Sequence, residues 1–305
     1  MIEQTRLDAE RQTNLWQYAE RHKPQVENSL RQFLPLAPAN IETEFNEAVE
    51  YALFPGGKRL RPVLTLLGAE LVGGSAEAVL PSAIAVEYIH TSSLIFDDLP
   101  CMDNAAKRRG KMALHERFNE GLAILVALSL LNASYGLVFV SQKTKRAIKA
   151  HAELVECVGA SGMVGGQAID LALAKGAGAG NPSAQDYNPE SIRNLKTSAL
   201  VRLALRIGAI PAGANNLQLN ALSRFAELLG DAYQLTDDLI DLSEDSKIFK
   251  ENQTTFAIAF GRKTAFLKLR KLITEAKGVL LDNFVPSQSR NNLIELTDYL
   301  ADRKF

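Results

Sequence analysis

The sequence has few cysteines, almost no net charge and no leader-like hydrophobic run at its start. Cys101 and Cys157 are its two cysteines, and their spacing is not that of a metal site. This argues against a disulfide framework and a thiolate zinc site, and it fits a cytoplasmic location. The formal net charge of −1 argues against broad capture of nucleic acid or of an anionic membrane. Segment 1–17 is polar and charged, so we expect no export signal.

Strict alternation of apolar and polar residues is also absent over long stretches. Apolar residues recur instead at helical spacing, so we predict an all-α protein in which no strand is needed. No repeat of fixed period occurs, and no linker rich in Pro, Gly or Ser divides the chain. With 305 residues and 47% hydrophobic residues, residues 1–305 are expected to form a single domain.

One uncharged segment, Gly121–Val140, is about as long as a membrane-spanning helix. Its polar residues Ser129, Asn132 and Ser134 dilute its hydrophobicity, and no second such segment accompanies it. A helix that is apolar on all sides also suits the centre of a large helical protein. We therefore favour a buried central helix over a transmembrane span.

Proline and glycine mark the ends of several predicted helices. Arg59–Val72 reads as a helix with Pro62 in its first turn and Gly73 beyond its end. A helix through Val86–Asp98 should break at Pro100, which lacks the N–H that would bond the carbonyl of Phe96. A polar loop through Arg109 is expected to follow.

The second half of the chain is predicted to hold a long surface connection and two further helices. The connection is Ala172–Asn188, with Asn188 as a cap and Pro189 at the first position of a helix that carries Lys196. A long helix is predicted over Leu217–Leu242.

That long helix carries an acidic cluster. Asp237 and Asp241 are four residues apart and share one face, with Asp238 beside them and Gln234 on the same stripe. Such like charges repel unless a cation neutralises them, and Mg²⁺ binds oxygen ligands through one or two carboxylates plus substrate phosphates. Taken alone, the cluster could equally be a solvated face.

A second acidic cluster changes this balance. Asp97, Asp98 and Asp103 follow the apolar run SLIF, which should lie in the core. A straight helix would point Asp97 and Asp103 apart, so the break at Pro100 is needed to bring Asp103 back. Two such clusters facing each other across a cavity would bind a diphosphate bridged by several magnesium ions.

Short basic groups supply the opposite charge. Arginine offers bidentate donors to phosphate oxygens and lysine a compact point charge, so the groups suit a diphosphate that no metal bridges. Each group alone could be a solvated face. They are Lys58, Arg59 and Arg61, then Lys107, Arg108 and Arg109, and finally Lys196.

Together these segments resemble the trans-isoprenyl diphosphate synthases, the family of farnesyl and geranylgeranyl diphosphate synthases. The resemblance covers most of the chain in order. Its motifs are GGKRLRP at Gly56–Pro62, HTSSLIFDDLPCMD at His90–Asp103, RRG at Arg108–Gly110, GGQAID at Gly165–Asp170, KTSAL at Lys196–Leu200 and YQLTDDLID at Tyr233–Asp241.

The resemblance implies a homodimer of isoprenoid synthase-type helical bundles, each around a central active-site cavity. It implies that isopentenyl diphosphate binds to Lys58, Arg61, His90 and Arg109, and that the allylic diphosphate binds to Arg108, Lys196, Thr197 and Gln234. Magnesium would bind to Asp97, Asp98, Asp103, Asp237, Asp238 and Asp241. Gln167 and Asp170 could equally be polar residues of the core.

The chemistry implied by the resemblance needs no protein nucleophile. The allylic carbon–oxygen bond ionises as pyrophosphate leaves, the isopentenyl double bond attacks the carbocation, and a proton is lost. Arg108, Lys196, Thr197, Gln234 and the aspartates Asp97, Asp98, Asp103 and Asp237 are the expected catalytic residues. The small residues Ser92 and Ser93 should leave an apolar tunnel open, which predicts geranylgeranyl diphosphate or a longer product.

Some positions depart from the family pattern. Ala105 and Ala106 stand where relatives often have acids, and Ala127 and Leu128 replace a Gly-Asp pair. After the second aspartate motif the sequence is the short SKIFKENQTTF, in which Lys247 and Lys250 could replace the usual lysines for substrate binding. The alternatives left open are a farnesyl diphosphate synthase and a non-catalytic regulatory subunit. The two aspartate motifs and the basic GGKR site for a second diphosphate argue against a terpene cyclase and a head-to-head synthase.

Overall fold

The structure, a computed structural model, describes residues 14–38, 40, 43–54, 57–140, 144–174, 189–244 and 260–301, with the backbone alone for 144, 173–174, 189–197 and 241–244. The α-helices are α1 Asn14–Gln32, α2 Phe45–Leu53, α3 Leu60–Leu71, α4 Leu80–Asp98, α5 Leu114–Arg117, α6 Glu120–Leu137, α7 Thr144–Val158, α8 Met163–Ala174, α9 Pro189–Ala212, α10 Asn216–Glu244, α11 Arg262–Asn283 and α12 Gln288–Ala301. A single 3₁₀ turn, Glu77–Val79, precedes α4. The all-α prediction is confirmed.

Helix α4 lies at the centre of the bundle, where it packs against α1, α3, α6 and α9. Its buried residues occur on all sides of the helix, and they include polar ones such as Glu87, His90 and Ser92. The surrounding apolar cluster takes in residues from Leu15 on α1 to Leu300 on α12. The core therefore encloses the helix that carries the first acidic cluster.

The prediction of a buried central helix at Gly121–Val140 was wrong in its burial. Helix α6 buries one side, through residues such as Val126 and Leu130, but Leu125 is 57% and Leu128 48% exposed. Two helical segments of the described residues, Glu77–Asp98 and Glu120–Leu137, are long and apolar enough to cross a membrane, and 78% and 33% of their apolar windows are buried. The central place belongs to α4, which is also apolar on average, but its charged residues Glu87 and Asp97 leave it without an uncharged run as long as Gly121–Val140.

The predicted helix ends are mostly confirmed. Helix α3 has Pro62 in its first turn, and Gly73 follows its end with φ of 83°. Helix α4 ends at Asp98, two residues before Pro100. Helix α9 begins at Pro189. The predicted connection Ala172–Asn188 begins too early, because α8 continues to Ala174.

Helices α3 and α9 approach each other closely through two glycines. A Cβ atom on Gly208 would lie 1.9 Å from the carbonyl oxygen of Thr65, and one on Gly68 would lie 2.3 Å from that of Leu205. Such distances leave no room for a side chain at either position. The contact fixes α3, and with it the basic residues that precede and begin this helix.

The polar loop through Arg109 contains a short hairpin, so the prediction that no strand is needed was wrong here. Strand β1, Lys107–Arg108, pairs antiparallel with β2, Lys111–Met112. The two turn residues, Arg109 and Gly110, have φ of 53° and 78°. Positive φ at both positions is typical of a type I′ turn, whose twist suits a two-residue hairpin. The hairpin places Arg108 and Arg109 beside the end of α4.

Candidate active site

The first acidic cluster forms where α4 ends and the chain turns back on itself. The turn is closed by backbone hydrogen bonds: the N–H of Asp103 donates to the carbonyl of Asp97 at 2.9 Å, and that of Ala105 donates to Asp98 at 3.2 Å. The break at Pro100 thus returns Asp103 to the level of Asp97, as its geometry predicted. Asp97 and Asp98 are both buried.

Arg108 on the hairpin neutralises one of these carboxylates. Its Nε donates to both oxygens of Asp98, at 3.0 and 3.2 Å, and its Nη2 forms a further contact with the same group. This hydrogen bonding raises the pKa of Arg108 above its usual value, and the charges of Asp97 and Asp103 act in the same direction. A planar guanidinium binds a carboxylate through directional, paired hydrogen bonds, and it can bind the oxygens of a phosphate in the same way.

The second acidic cluster lies on α10. Asp238 is buried, and Asp237 and Gln234 are partly buried on the same helix. Tyr233, one residue before Gln234, lines a pocket together with His90 of α4. Helices α4 and α10 therefore converge at one pocket. Among the residues that the structure describes, no three His, Cys, Asp or Glu side chains are close enough to hold a metal ion by themselves.

The pocket shared by α4 and α10 is basic and has a volume of about 220 Å³. His90 lies at its centre: Arg61 Nη1 is 3.1 Å and Arg109 Nη2 is 3.4 Å from His90 Nε2. A guanidinium only donates hydrogen bonds, so Nε2 must be the acceptor and the proton of the neutral ring lies on Nδ1. Burial first, and then the charges of Arg61 and Arg109, hold the pKa of His90 well below its ordinary value.

Arg61 is one of the cations that line this pocket. Burial lowers the pKa of its guanidinium, although an arginine stays charged at neutral pH. Its Nε atom is buried and has no hydrogen-bond partner within the described part of the chain. A buried donor of this kind is costly unless a ligand satisfies it, and an anion is the natural ligand.

Arg59 was expected to join the phosphate-binding cations, and the structure gives it another task. Its guanidinium donates to Glu27 at 2.7 Å, to Glu87 at 2.6 Å and to the carbonyl of Leu53 at 2.7 Å. The residue is 3% exposed and adopts the left-handed conformation with φ of 51°. Arg59 therefore fixes the loop between Lys58 and Arg61. It also lines the pocket, but each of its three guanidinium nitrogens is already bonded to the protein.

An apolar cavity of about 350 Å³ begins at the first acidic cluster. Asp97 and Ser93 line it together with Phe96, Met102 and Leu131, and residues of α7 and α8 complete its wall. Ser92 also lines it, and its hydroxyl donates to the carbonyl of Ala127 on α6 at 3.0 Å. A carboxylate thus stands beside a space that suits a hydrocarbon.

Comparison with known proteins identifies the family. The polyprenyl synthetase family matches residues 42–275 of the chain. The chain is 36% identical to a geranylgeranyl diphosphate synthase of Cyanophora paradoxa over 306 residues, which cover 95% of this chain and 97% of that one. It is 38% identical to a chloroplastic geranylgeranyl pyrophosphate synthase of Capsicum annuum, covering 85% of this chain and 71% of that one.

The chain belongs to the polyprenyl synthetase family.

Solved structures support the same assignment. An FPP/GFPP synthase of Zymomonas mobilis superposes with a TM-score of 0.81 at 29% identity, covering 94% of this chain and 99% of that chain. A geranyltransferase of Legionella pneumophila gives a TM-score of 0.79 at 29% identity, with 94% and 96% covered. This polyprenyl synthetase is thus an enzyme of the trans-prenyltransferase class, with the isoprenoid synthase fold.

Several predicted site residues of this polyprenyl synthetase lie outside what the structure describes. Lys247 and Lys250 fall in an undescribed segment, and only the backbone is described for Lys196, Thr197 and Asp241. Lys196 and Thr197 lie on α9, and Asp241 lies on α10. Their roles stay predictions.

Three aromatic residues that were not predicted as site residues line the basic pocket of the polyprenyl synthetase. They are Trp16 on α1, Tyr233 on α10 and Tyr299 on α12. Tyr233 begins the motif YQLTDDLID, so its position next to Gln234 could have indicated that it lies at the site. Trp16 and Tyr299 come from the two ends of the chain, and no local spacing connects them to the pocket.

Proposed function

We propose that this enzyme condenses isopentenyl diphosphate with an allylic diphosphate to give geranylgeranyl diphosphate, with assistance from Mg²⁺. One observation carries the proposal: Asp97 stands at an apolar cavity while a separate basic pocket surrounds His90. One substrate needs space for its hydrocarbon tail beside metal-binding carboxylates, and the other needs a pocket rich in cations. Glu87 also lines the basic pocket, but its carboxylate is paired with Arg59. The curated relatives include geranylgeranyl diphosphate synthases.

The basic pocket is proposed to bind the diphosphate of isopentenyl diphosphate. Lys58, Arg61 and Arg109 line it and supply charge, and the unpaired Nε of Arg61 supplies a donor. Neutral His90 accepts from both guanidiniums, so it orients them without adding a positive charge of its own. Bidentate donors held in this way match the oxygens of a diphosphate that no metal bridges.

The acidic side is proposed to bind the allylic diphosphate through Mg²⁺. Asp97, Asp98 and Asp103 gather at one turn, and Mg²⁺ needs only one or two carboxylates when phosphate oxygens complete its shell. The donor set therefore fits the ion. The proposed ligands on α10 are Asp237, Asp238 and Asp241. When bound, Mg²⁺ would offset the charge of the departing pyrophosphate.

The residues of the chain are proposed to position the reactants and to keep water out. Arg108, Lys196, Thr197 and Gln234 contact the allylic diphosphate, and Arg108 exchanges part of its contact with Asp98 for phosphate oxygens. The allylic carbon–oxygen bond breaks, and its electron pair leaves with pyrophosphate. The isopentenyl double bond forms the new carbon–carbon bond, and a pyrophosphate oxygen accepts the proton that is lost. The apolar cavity protects the carbocation from water.

The product length is proposed to follow from Ser92 and Ser93. Both line the cavity, and Ser92 lies five residues before Asp97 on the same helix. Neither side chain is large enough to close the space. A farnesyl product is the competing outcome, since one structural relative is an FPP/GFPP synthase.

The proposed function is tested by incubating the purified chain with labelled isopentenyl diphosphate and each allylic primer, namely dimethylallyl, geranyl and farnesyl diphosphate. We expect a C20 product in the presence of Mg²⁺ and none after chelation of the ion. Absence of any elongated product with all three primers would contradict the proposal and favour a non-catalytic regulatory subunit.

We also propose a homodimer in the cytoplasm. The outer sides of α6 and α7 carry exposed apolar residues, among them Leu125, Leu128, Ile148 and Val155, each between 48% and 58% exposed. Large apolar side chains exposed in this number favour burial against a partner. A second copy is the simplest partner, and two relatives named as large subunits of heterodimeric synthases make a different subunit the alternative. Both cysteines are free, which fits a reducing compartment.

A further inference from the structure

Two aromatic side chains from opposite ends of the chain close the basic pocket around Lys58. Trp16 of α1 and Tyr299 of α12 meet edge to face, with ring centroids 5.3 Å apart and an interplanar angle of 78°. The Nζ atom of Lys58 lies 4.6 Å from the centroid of Trp16 and 5.7 Å from that of Tyr299. All three residues line the same pocket as Arg61 and His90.

Both rings are close enough to attract the ammonium group. A cation within about 6 Å of a ring centroid interacts with the negative face of the ring, most strongly with tryptophan. A lysine ammonium ends a flexible four-carbon stem, so it would otherwise lose much freedom when it binds a ligand. Rings that already restrict the stem lower this ordering cost.

The structure also holds the ring pair in place. Asn14 Nδ2 donates to Glu295 Oε1 at 3.0 Å, and the N–H of Leu15 donates to Glu295 Oε2 at 2.8 Å. These bonds join the start of α1 to α12 directly beside Trp16. On the other side of Lys58, the buried Arg59 fixes the main chain through Glu27 and Glu87. Lys58 is thus restrained at its backbone and near its charged end.

We propose that Trp16 and Tyr299 are positioning residues that hold the Lys58 ammonium ready for the diphosphate of isopentenyl diphosphate. The inference rests on the proposed function of the basic pocket. The rings act through Lys58 and take no part in bond breaking. Their loss therefore weakens binding of this one substrate, while the allylic substrate and the chemical step are unaffected.

Steady-state kinetics of paired variants test the inference. Trp16→Leu removes the ring face, and we expect the KM for isopentenyl diphosphate to rise about three- to thirtyfold, the fold-change that corresponds to cation–π strengths. The KM for the allylic substrate and kcat should change by less than about twofold, as uniform loss of ground-state binding requires. Trp16→Phe keeps a ring face and should recover most of the affinity.

Trp16 is buried, so its replacement could also disturb folding. The pair Tyr299→Leu and Tyr299→Phe repeats the test at a partly buried site, and thermal unfolding followed by circular dichroism shows which variants are folded. A rise in both KM values, or a fall in kcat alone, in folded variants contradicts the inference.

A double-mutant cycle separates action through Lys58 from general damage. In a Lys58→Met background, Trp16→Leu should add almost no further increase in the KM for isopentenyl diphosphate, because the group that it positions is already gone. If the increases in KM of the two single variants simply multiply in the double variant, the inference is overturned.

The intrinsic fluorescence of the protein gives a readout that needs no turnover, because Trp16 is the single tryptophan of the chain. Isopentenyl diphosphate, added without allylic substrate or Mg²⁺, should change its emission saturably, and Lys58→Met should move the change to higher concentration. Unchanged emission contradicts the inference. If the emission responds but no elongated product ever forms, the proposed reaction fails and the inference stands.

Discussion

His90 shows how its surroundings decide the role of a single side chain. An isolated histidine in a helix is usually a satisfied core residue, and its position seven residues before Asp97 was the signal that it belongs to the site. The sequence could not show that Arg61 and Arg109 would both donate to one nitrogen of its ring. That arrangement depends on α3, α4 and the hairpin meeting in space.

The lowered pKa of His90 predicts a loss of stability in mild acid. Between its folded pKa and 6.5 the unfolded chain binds a proton at His90 that the folded chain does not, so stability falls as the pH drops through 6.5. From pH 7.5 to 5.5, the free energy of unfolding should fall by about 1.4 kcal/mol more in the wild type than in His90→Gln. Urea unfolding of both proteins measures this difference. If the free energy of unfolding falls equally in both proteins, His90 is not a neutral ring of lowered pKa in the folded state.

A large side chain at position 92 is expected to change the length of the product. Ser92→Tyr adds an aromatic ring where the cavity passes α6, so we expect the longest product to shorten from C20 to C15 or less. Ser92→Ala is the matched control, because it removes the hydroxyl that donates to Ala127 and adds no volume. Chromatography of the dephosphorylated products measures the distribution. An unchanged C20 product in a folded, active Ser92→Tyr enzyme places the floor of the cavity elsewhere.

The helix ends were predicted from the sequence better than the burial of the helices was. Pro62, Gly73 and Pro100 act through local backbone chemistry, so their effects can be predicted from the chain alone. The hairpin was missed because its turn is Arg109-Gly110 and not the usual Asn-Gly or Asp-Gly. Burial of α6 was overestimated, since which side of an apolar helix meets a neighbour depends on tertiary packing.

The close approach of α3 and α9 predicts a marked effect of one methyl group. In Gly208→Ala the new Cβ would clash with the carbonyl of Thr65, so the free energy of unfolding should fall by about 1–3 kcal/mol, as overpacking does. Gly278 on α11 is the matched control, since a Cβ there meets no atom within 4 Å. Gly278→Ala should be neutral or stabilise by up to about 1 kcal/mol.

Chemical denaturation of the wild type and both variants measures these changes. A Gly208→Ala protein as stable as the wild type would show that the two helices can separate without cost. The pairing of Arg59 with Glu27 and Glu87 would then be what fixes Lys58 and Arg61 relative to α4.

For the whole molecule, the sequence predicted the family, which the comparisons confirm, and the structure shows how several of the predicted site residues meet. Tyr233 lining a pocket with His90 brings the two acid-bearing helices together. The participation of Trp16 and Tyr299 could not be predicted, because contacts between the two ends of a chain depend on the complete fold. The direct opposition of the two acidic clusters stays a prediction.

The exposed sides of α6 and α7 predict a dimer that charge can disrupt. The wild type should sediment as a dimer, and the double variant Leu125→Asp with Leu128→Asp should sediment as a monomer, because a dimer would bury the new charges. Leu217→Asp, at an exposed residue at the start of α10, is the control and should stay dimeric. A monomeric wild type, or binding of the wild type to lipid vesicles through this surface, contradicts the homodimer.

Carboxylates of both clusters are proposed to act on one metal-bound diphosphate, and the turnover of conservative variants shows whether they do. With labelled isopentenyl diphosphate and saturating Mg²⁺, Asp97→Asn and Asp237→Asn should each lower kcat by at least about a hundredfold, as loss of transition-state charge stabilisation does. Asp282→Asn, at an exposed position of α11, should leave kcat unchanged. If either cluster variant elongates the allylic primer at the wild-type rate, the two clusters do not share the substrate and the proposed reaction is wrong.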